Sequence, residues 1–244
     1  MKNLMNIISI LMLAACAGGQ TLPSENKAAE ITGDARKILQ KLHDRKATLK
    51  DFTAKIDYSV LHPIGDTDGM IGTAVYVDDG TIPKLAASFT HDTEEGKITR
   101  VRKRNFVLDG DAFTMIDFKG KEFKQQKALP GKPFKPNSLD AMIPVPIGLD
   151  VDEVIRNFLV TLQPSTDPNI EILRVVPREK EKYDYKQIDI TIDKKLEIPV
   201  KIVVIATNDD ITTVKFSDPQ INTGKVDFPD TTPPKAPGWT IEIK

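Results

Sequence analysis

The sequence predicts an α+β domain built on one large antiparallel sheet, and three patterns predict it. The apolar period changes from 3.6 to two near residue 50 and stays near two through most of the later chain. Hairpin signals follow one another with no helix between strands, which argues against a parallel βαβ sheet. Two amphipathic stretches remain, one ahead of the strands and one midway, to cover a single sheet face.

The elements run in this order. From Ala28 to about Lys46, Ala28, Ile31, Ala35, Ile38, Leu39 and Leu42 keep a helical period with one buried stripe. Phe52, Ala54, Ile56, Tyr58 and Val60 then alternate with Thr53, Lys55, Asp57 and Ser59, the mark of a strand with one wet face. A meander follows, with strands near 69–77, 83–91, 97–108, 112–118 and 121–128. The turn pairs Asp79-Gly80, Glu95-Gly96 and Asp109-Gly110, and Gly120, separate them.

Leu129 to Pro146 holds five prolines, so it is neither helix nor inner strand. A second helix is predicted over 150–162. Asp150 is its N-cap, Glu153 completes a capping-box-like pair, and Val151, Val154, Ile155, Phe158, Leu159 and Leu162 form its apolar face. Strands near 169–176, 183–192, 198–206 and 210–217 come next, with Pro199 placed early in an edge strand and Asn208-Asp209-Asp210 as the last turn. After a proline-rich stretch at 229–238, a final strand is expected over Trp239–Ile243. No repeat and no second folded domain is visible.

The N-terminus is a different kind of segment. Leu4 to Ala15 carries no charge behind Lys2, and about a dozen residues is too short to span a hydrocarbon layer of ~30 Å. A basic start, a short apolar run and small residues at its end make a secretory signal peptide over residues 1–15. Leu13-Ala14-Ala15-Cys16 resembles the lipobox of bacterial lipoproteins, which implies cleavage before Cys16 and lipidation of that cysteine. Ala15-Cys16-Ala17 also fits an ordinary small-x-small cleavage site. Residues 16–26 are small and polar, which suits a flexible tether, and residues 27–244 form the folded domain. Ala17 stands where an inner-membrane retention signal would have Asp, so the resemblance favours an exported envelope protein on the outer membrane, facing the periplasm.

Without residues 1–15, 33 basic side chains face 35 acidic ones, so the basic excess of a nucleic-acid binder is missing. Cys16 is the sole cysteine, so stability must come from a core and not from disulfides. His43, His62 and His91 have no metal-ligand spacing, and no cofactor motif, nucleophile elbow or phosphate loop occurs. An enzyme is not expected. Asp66-x-Asp68-Gly69 and Asp78-Asp79-Gly80 read as hairpin turns, not calcium loops. Asp109-Gly110-Asp111 reads as a hairpin tip. Arg100, Arg102 and Arg104 share one strand face, read as a solvated outer face in preference to an anion site.

Surplus apolar surface is the remaining signal. Residues 112–118 are apolar on both faces, with Phe113 and Met115 on one side and Ile116 and Phe118 on the other. A plain α+β core and a sheet holding an apolar ligand both account for it.

The order helix, meander, proline-rich link, helix, strands and tail resembles the LolA/LolB superfamily of envelope lipoprotein carriers. Ile38 to Leu42 followed by Leu49 to Thr53 looks like that family's first helix entering its first strand. Gly72 to Val75 and then Val107-Leu108-Asp109-Gly110 resemble its glycine strand and Asp-Gly hairpin. Thr212 to Phe216, Asn222, Val226-Asp227-Phe228 and Pro237-Gly238-Trp239 resemble its closing motifs. Phe113 stands where tryptophan is often found and Thr53-Ala54 replaces the usual Gln. A lipid anchor is nearer to the membrane-side receptor than to the soluble shuttle.

The resemblance implies an unclosed antiparallel β half-barrel with helices covering its concave face. It implies a non-enzymatic, lipid-anchored carrier or acceptor for acylated lipoproteins or lipid acyl chains. Candidate cavity residues are Phe52, Ile56, Tyr58, Phe113, Met115, Val154, Phe158 and Leu159, with helix 150–162 as the lid. The alternative is an envelope sensor or protein-interaction module on the same fold.

Overall fold

The computed structural model describes residues 33–80, 83–110, 112–127 and 150–244. The leader, Cys16, the tether and the proline-rich link at 129–146 lie outside these residues. The first helix, α1 (Gly33–Thr48), buries Ala35, Ile38, Leu39 and Leu42, the stripe its period predicts. Asp34 in its first turn and Arg45 and Lys46 in its last complement the helix dipole.

The strands of the first half are β1 (Asp51–Leu61), β2 (Thr67–Val77), β3 (Lys84–Glu94), β4 (Lys97–Asp109), β5 (Ala112–Asp117) and β6 (Glu122–Lys127). A short helix α2 (Val151–Asn157) leads into β7 (Phe158–Gln163), β8 (Ile170–Pro177), β9 (Tyr185–Asp193), β10 (Ile198–Ala206), β11 (Ile211–Ile221) and β12 (Thr240–Ile243). Among the described residues these form one unclosed sheet in the order β12-β6-β5-β4-β3-β2-β1-β11-β10-β9-β8-β7. The architecture is α+β and half-barrel-like.

β1 is the hinge between two arms. It pairs with β2 through the first hairpin and with β11 from the far end of the chain, where Leu61 meets Ile211 and Phe52 meets Ile221. Register shifts occur in both arms: between Ile71 and Gly72 in the β2–β3 ladder, twice between β3 and β4, twice between β9 and β10, and once where β1 meets β11. Such shifts bend strands and raise their twist. Gly72 sits at the first of them. A Cβ there would strike the Ser88 carbonyl oxygen and come within 2.7 Å of the Phe89 Cα, so only glycine admits this backbone approach.

The two faces of the sheet are covered differently. The inner face carries α1 and one contiguous apolar cluster reaching from Phe113 on β5 to Phe158 and Val160 on β7. On the outer face of the first arm, Val226 and Phe228 of the C-terminal tail pack on Val75, Ala86 and Val107. Farther along the tail, Trp239 meets Phe118 edge-on at 6.0 Å. The second arm's outer face is mixed, with Arg174 in a two-point ion pair to Asp189 at 2.9 Å among side chains such as Val176 and Val203.

Three expectations need correction. The helix predicted over 150–162 ends at Asn157, and Phe158–Gln163 is a strand paired with Phe158↔Pro177 through Gln163↔Ile172. Asp150 caps the helix as expected, its side chain accepting from the Glu153 N–H at 2.8 Å. The ladder with β8, reinforced by Arg178 N–H donating to the Asn157 carbonyl, overrides a local period that fits both states. Pro199 is not on an edge strand, since β10 lies between β9 and β11. It is tolerated because the β11 ladder starts only at Lys201 and the β9 ladder shifts register there. Finally, β12 runs parallel to β6, the one parallel pair among the described strands.

Candidate functional site

Strand alternation builds the inner face. Even-numbered residues of β1 point inward from Phe52 to Val60, and their partners on β2 and β11 share that face. Tyr58, Phe89 and Phe106 form a ladder of edge-to-face rings at 6.2 and 5.8 Å across the first arm. Phe52 meets Phe216 at 6.1 Å near the hinge. At the second arm, Phe158 lies 5.1 Å from Tyr183 and 6.5 Å from Tyr185. Between these groups the wall is aliphatic: Leu173, Val175, Ile188, Ile190, Ile202, Val204 and Val214.

Most of the candidate residues come together here. Phe52, Ile56, Tyr58, Phe113 and Phe158 are buried members of the cluster, and Met115 and Val154 pack against it half-buried. Leu159 does not join them. In β7 it pairs with Val176 on the opposite face from Phe158 and Val160, so the strand separates two side chains that a helix would place together. Phe89, Phe106, Tyr183 and Tyr185 are absent from the predicted set. Alternation alone could have assigned the two phenylalanines, whereas the tyrosines are out of step with Ile188, Ile190 and Ile192 and reach this face across a register shift in β9. Burial pushes the Tyr58 phenol up to about 12 and raises that of Tyr185, whose hydroxyl has no hydrogen-bond partner.

Two charged groups close the hairpin end of this face. His62, just past β1, holds Asp210 of the β10–β11 turn with Nδ1 at 2.8 Å, while Nε2 lies 3.5 Å from Asp68. The bond to buried Asp210 raises the imidazole pKa above its ordinary value against the cost of burial. Asn208 Nδ2 donates to the other Asp210 oxygen at 2.7 Å.

The second group corrects the arginine reading. Arg104 stands directly opposite both Phe89 and Asp117, which puts it on the inner face, and its side chain is only 12% exposed. Arg104 Nη2 donates to Asp92. Arg102 donates to Asp117 through Nη2 and through Nε at 3.0 Å. Burial alone would raise the Asp117 carboxyl, but Arg102 and the Gly120 and Lys119 amides bring it below its ordinary value. Only Arg100 of the three is exposed. Arg104 faces inward because it lies two residues from Phe106 and keeps that ring's face by plain alternation.

At the other end, α1 is fastened to the sheet by polar bonds. Asn222 accepts from the Lys50 N–H at 2.8 Å and donates to the Thr48 carbonyl at 2.8 Å. Buried Asp51 accepts from the Thr223 and Gly224 amides at 2.8 and 2.9 Å. Two open clefts of about 490 and 410 Å³ flank this corner. Lys50 and Asp78 line both, joined by His43 and Lys46 in one and by Lys84 and Phe228 in the other.

With this layout in hand, comparison with known proteins is informative about fold. No family model and no curated protein matches the sequence. Solved structures do match. An uncharacterized conserved protein from Thermus thermophilus aligns over 86% of this chain and 99% of its own, with TM-score 0.50 and 7% identity. The two share a fold. A domain from Vibrio parahaemolyticus, described as that of an outer membrane lipoprotein-sorting protein, covers 79% of this chain and 95% of its own at TM-score 0.40 and 14% identity. A LolA superfamily protein from Nitrosomonas europaea covers 82% and 97% at TM-score 0.33 and 11% identity. At these identities the likeness is of fold alone.

Proposed function

We propose that this chain is a lipid-anchored, non-enzymatic envelope protein that shelters acyl chains of lipoproteins or lipids on its inner sheet face. One observation carries the proposal: the apolar cluster is continuous across both arms and is covered by an amphipathic helix, not by a second sheet. Each buried methylene is worth ~0.8 kcal/mol, so an acyl chain of about fifteen carbons costs on the order of 12 kcal/mol to leave in water. A carrier must hide such a chain and still release it. In this structure the face is closed, with Phe52, Tyr58 and Phe113 each under a tenth exposed. Entry therefore requires a cover that lifts.

α1 is the better cover, since α2 is only seven residues long. Its link to α2 is the Arg36–Asp152 pair at 2.6 Å, with both side chains more than half exposed. Exposed pairs of this kind contribute little, about 0–1 kcal/mol, so this contact holds α1 weakly. The anchor at Cys16 and an outer-membrane address belong to the same proposal. Multiple acyl chains at Cys16 would hold the protein stably to a membrane.

Mass spectrometry of the full chain purified gently from its host should find bound acyl lipid, and a fluorescent fatty acid should bind in solution. Phe158→Asp should abolish that binding by putting an unpaired charge into the aromatic group, whereas exposed Arg156→Ala should bind normally. If no lipid co-purifies and no acyl probe binds, the inner face is ordinary core and the interaction-module reading replaces this one.

A further inference from the structure

Resting on the acyl-sheltering reading, we infer that Arg104, with Arg102 and Arg100 beside it, holds the anionic head group of the sheltered amphiphile at the hairpin end of the inner face. The aromatic ladder Tyr58–Phe89–Phe106 leads directly to it, since Arg104 is the next inward residue of β4 after Phe106 and lies opposite Phe89. An acyl chain lying along these rings therefore brings its head group to a guanidinium.

The polar cluster there leaves one donor for a ligand to use. Arg102 and Arg104 meet Asp92 and Asp117, with Glu122 acting on Arg102 as well. Asp117 is saturated by Arg102 and by the amides of Lys119 and Gly120. Asp92 accepts from Arg104 Nη2 and lies 4.0 Å from Arg102 Nη1, yet Arg104 Nε is buried with no hydrogen-bond partner. A guanidinium has five N–H donors in a fixed fork that matches a carboxylate or phosphate. Burying one with a donor unmet is costly unless something accepts from it. His62, Asp68 and Asp210 are committed to one another, so the neighbouring charged group leaves these donors unmet. In this arrangement Asp92 acts as a stand-in that an incoming anion displaces.

The probes are cis-parinaric acid and its methyl ester, alike in chain and different in head-group charge, titrated at pH 8 into the full chain bearing Cys16→Ser. The acid should bind at least about tenfold more tightly than the ester. Arg104→Gln should bring the two within about twofold by weakening the acid alone. Asp92→Asn removes the competing carboxylate and should widen the preference for the acid, opposite to the loss expected of a merely structural ion pair. If Arg104→Gln does not fold by circular dichroism, the Asp92→Asn ratio decides: a rise supports the assignment, and an unchanged or lower ratio overturns it. Equal binding of acid and ester by the wild type overturns it and leaves the acyl groove standing. Binding of neither probe removes the groove itself. If inorganic phosphate at millimolar concentration displaces the acid but not the ester, the site belongs to a free anion and the head-group assignment fails.

Discussion

The arm β1–β6 and the arm β7–β11 solve the same problem in different ways. The second arm has an inner wall of aliphatic side chains with the Phe158, Tyr183 and Tyr185 rings at one end, and an outer wall that carries the Arg174–Asp189 pair and no tail. The first arm is apolar on both sides. Its inner wall mixes rings with Ala54, Ala74 and Ala87, and its outer wall needs the tail residues Val226 and Phe228 laid over it. The apolar excess of residues 112–118 is therefore explained partly by this second cover: Met115 belongs to the inner face, while Phe118 packs on Trp239 outside. The required glycine and the largely buried Arg104 fall in the first arm, while register shifts occur in both. The first arm carries the candidate chemistry.

That contrast is breakable, beginning with its most severe test. Gly72→Val should cost about 3 kcal/mol or more, because the clash is with backbone and cannot be relieved by a rotamer. Thermal denaturation should show the protein largely unfolded, and a near-normal midpoint would mean that the first arm does not depend on this approach.

Next comes a pair of truncations. Leu173, fully buried in the second arm, should cost about 2–5 kcal/mol on change to Ala, with little effect on acyl-probe affinity in the folded fraction. Met115→Ala, half-buried in the first arm, should cost less stability and more probe affinity. Denaturant melts beside probe titrations will tell, and equal ratios of the two effects would erase the distinction.

A smaller effect is expected from Phe228→Ala. Loss of a half-buried ring should cost about 1–2 kcal/mol. Limited proteolysis should then cut the tail before the sheet melts.

The smallest concerns His62. Its folded pKa is raised by Asp210, so its contribution is fully present below the ordinary imidazole value and is lost as pH rises through the raised one. Melting temperature should fall across that window and should fall less in His62→Gln. A parallel pH profile in the variant would show that the latch contributes nothing.

Much of this was legible in the chain, and the failures have physical causes. Period-two alternation and turn signals locate eleven of the twelve described strands because half-buried strands keep a local signature. β7 was lost because Phe158-Leu159-Val160 also completes a helical stripe, and only its pairing with Val175–Pro177 decides between them. Seven of the eight candidate residues lie in or against the inner cluster, since inward alternation is local, and Leu159 left it along with the helix. Alternation from Phe106 already puts Arg104 on the inner face, but the carboxylates that let a charge sit there, Asp92 and Asp117, come from β3 and β5, and no local window shows them. The parallel direction of β12 depends on the path of the tail, which has no local signal at all.

The pairing of β1 with β11 has a kinetic consequence. The central strand of the finished sheet is made early, and its second partner is made among the last residues. Ribosomes add about 5–20 residues per second, so about 8–30 s separate the synthesis of β1 from that of β11, and β1 has one edge bare meanwhile. Such non-local ladders form slowly and leave unpaired strand edges open to aggregation meanwhile. This chain should therefore refold slowly and with concentration-dependent losses, and a holdase that covers β1 should raise its yield more than one acting on any later strand.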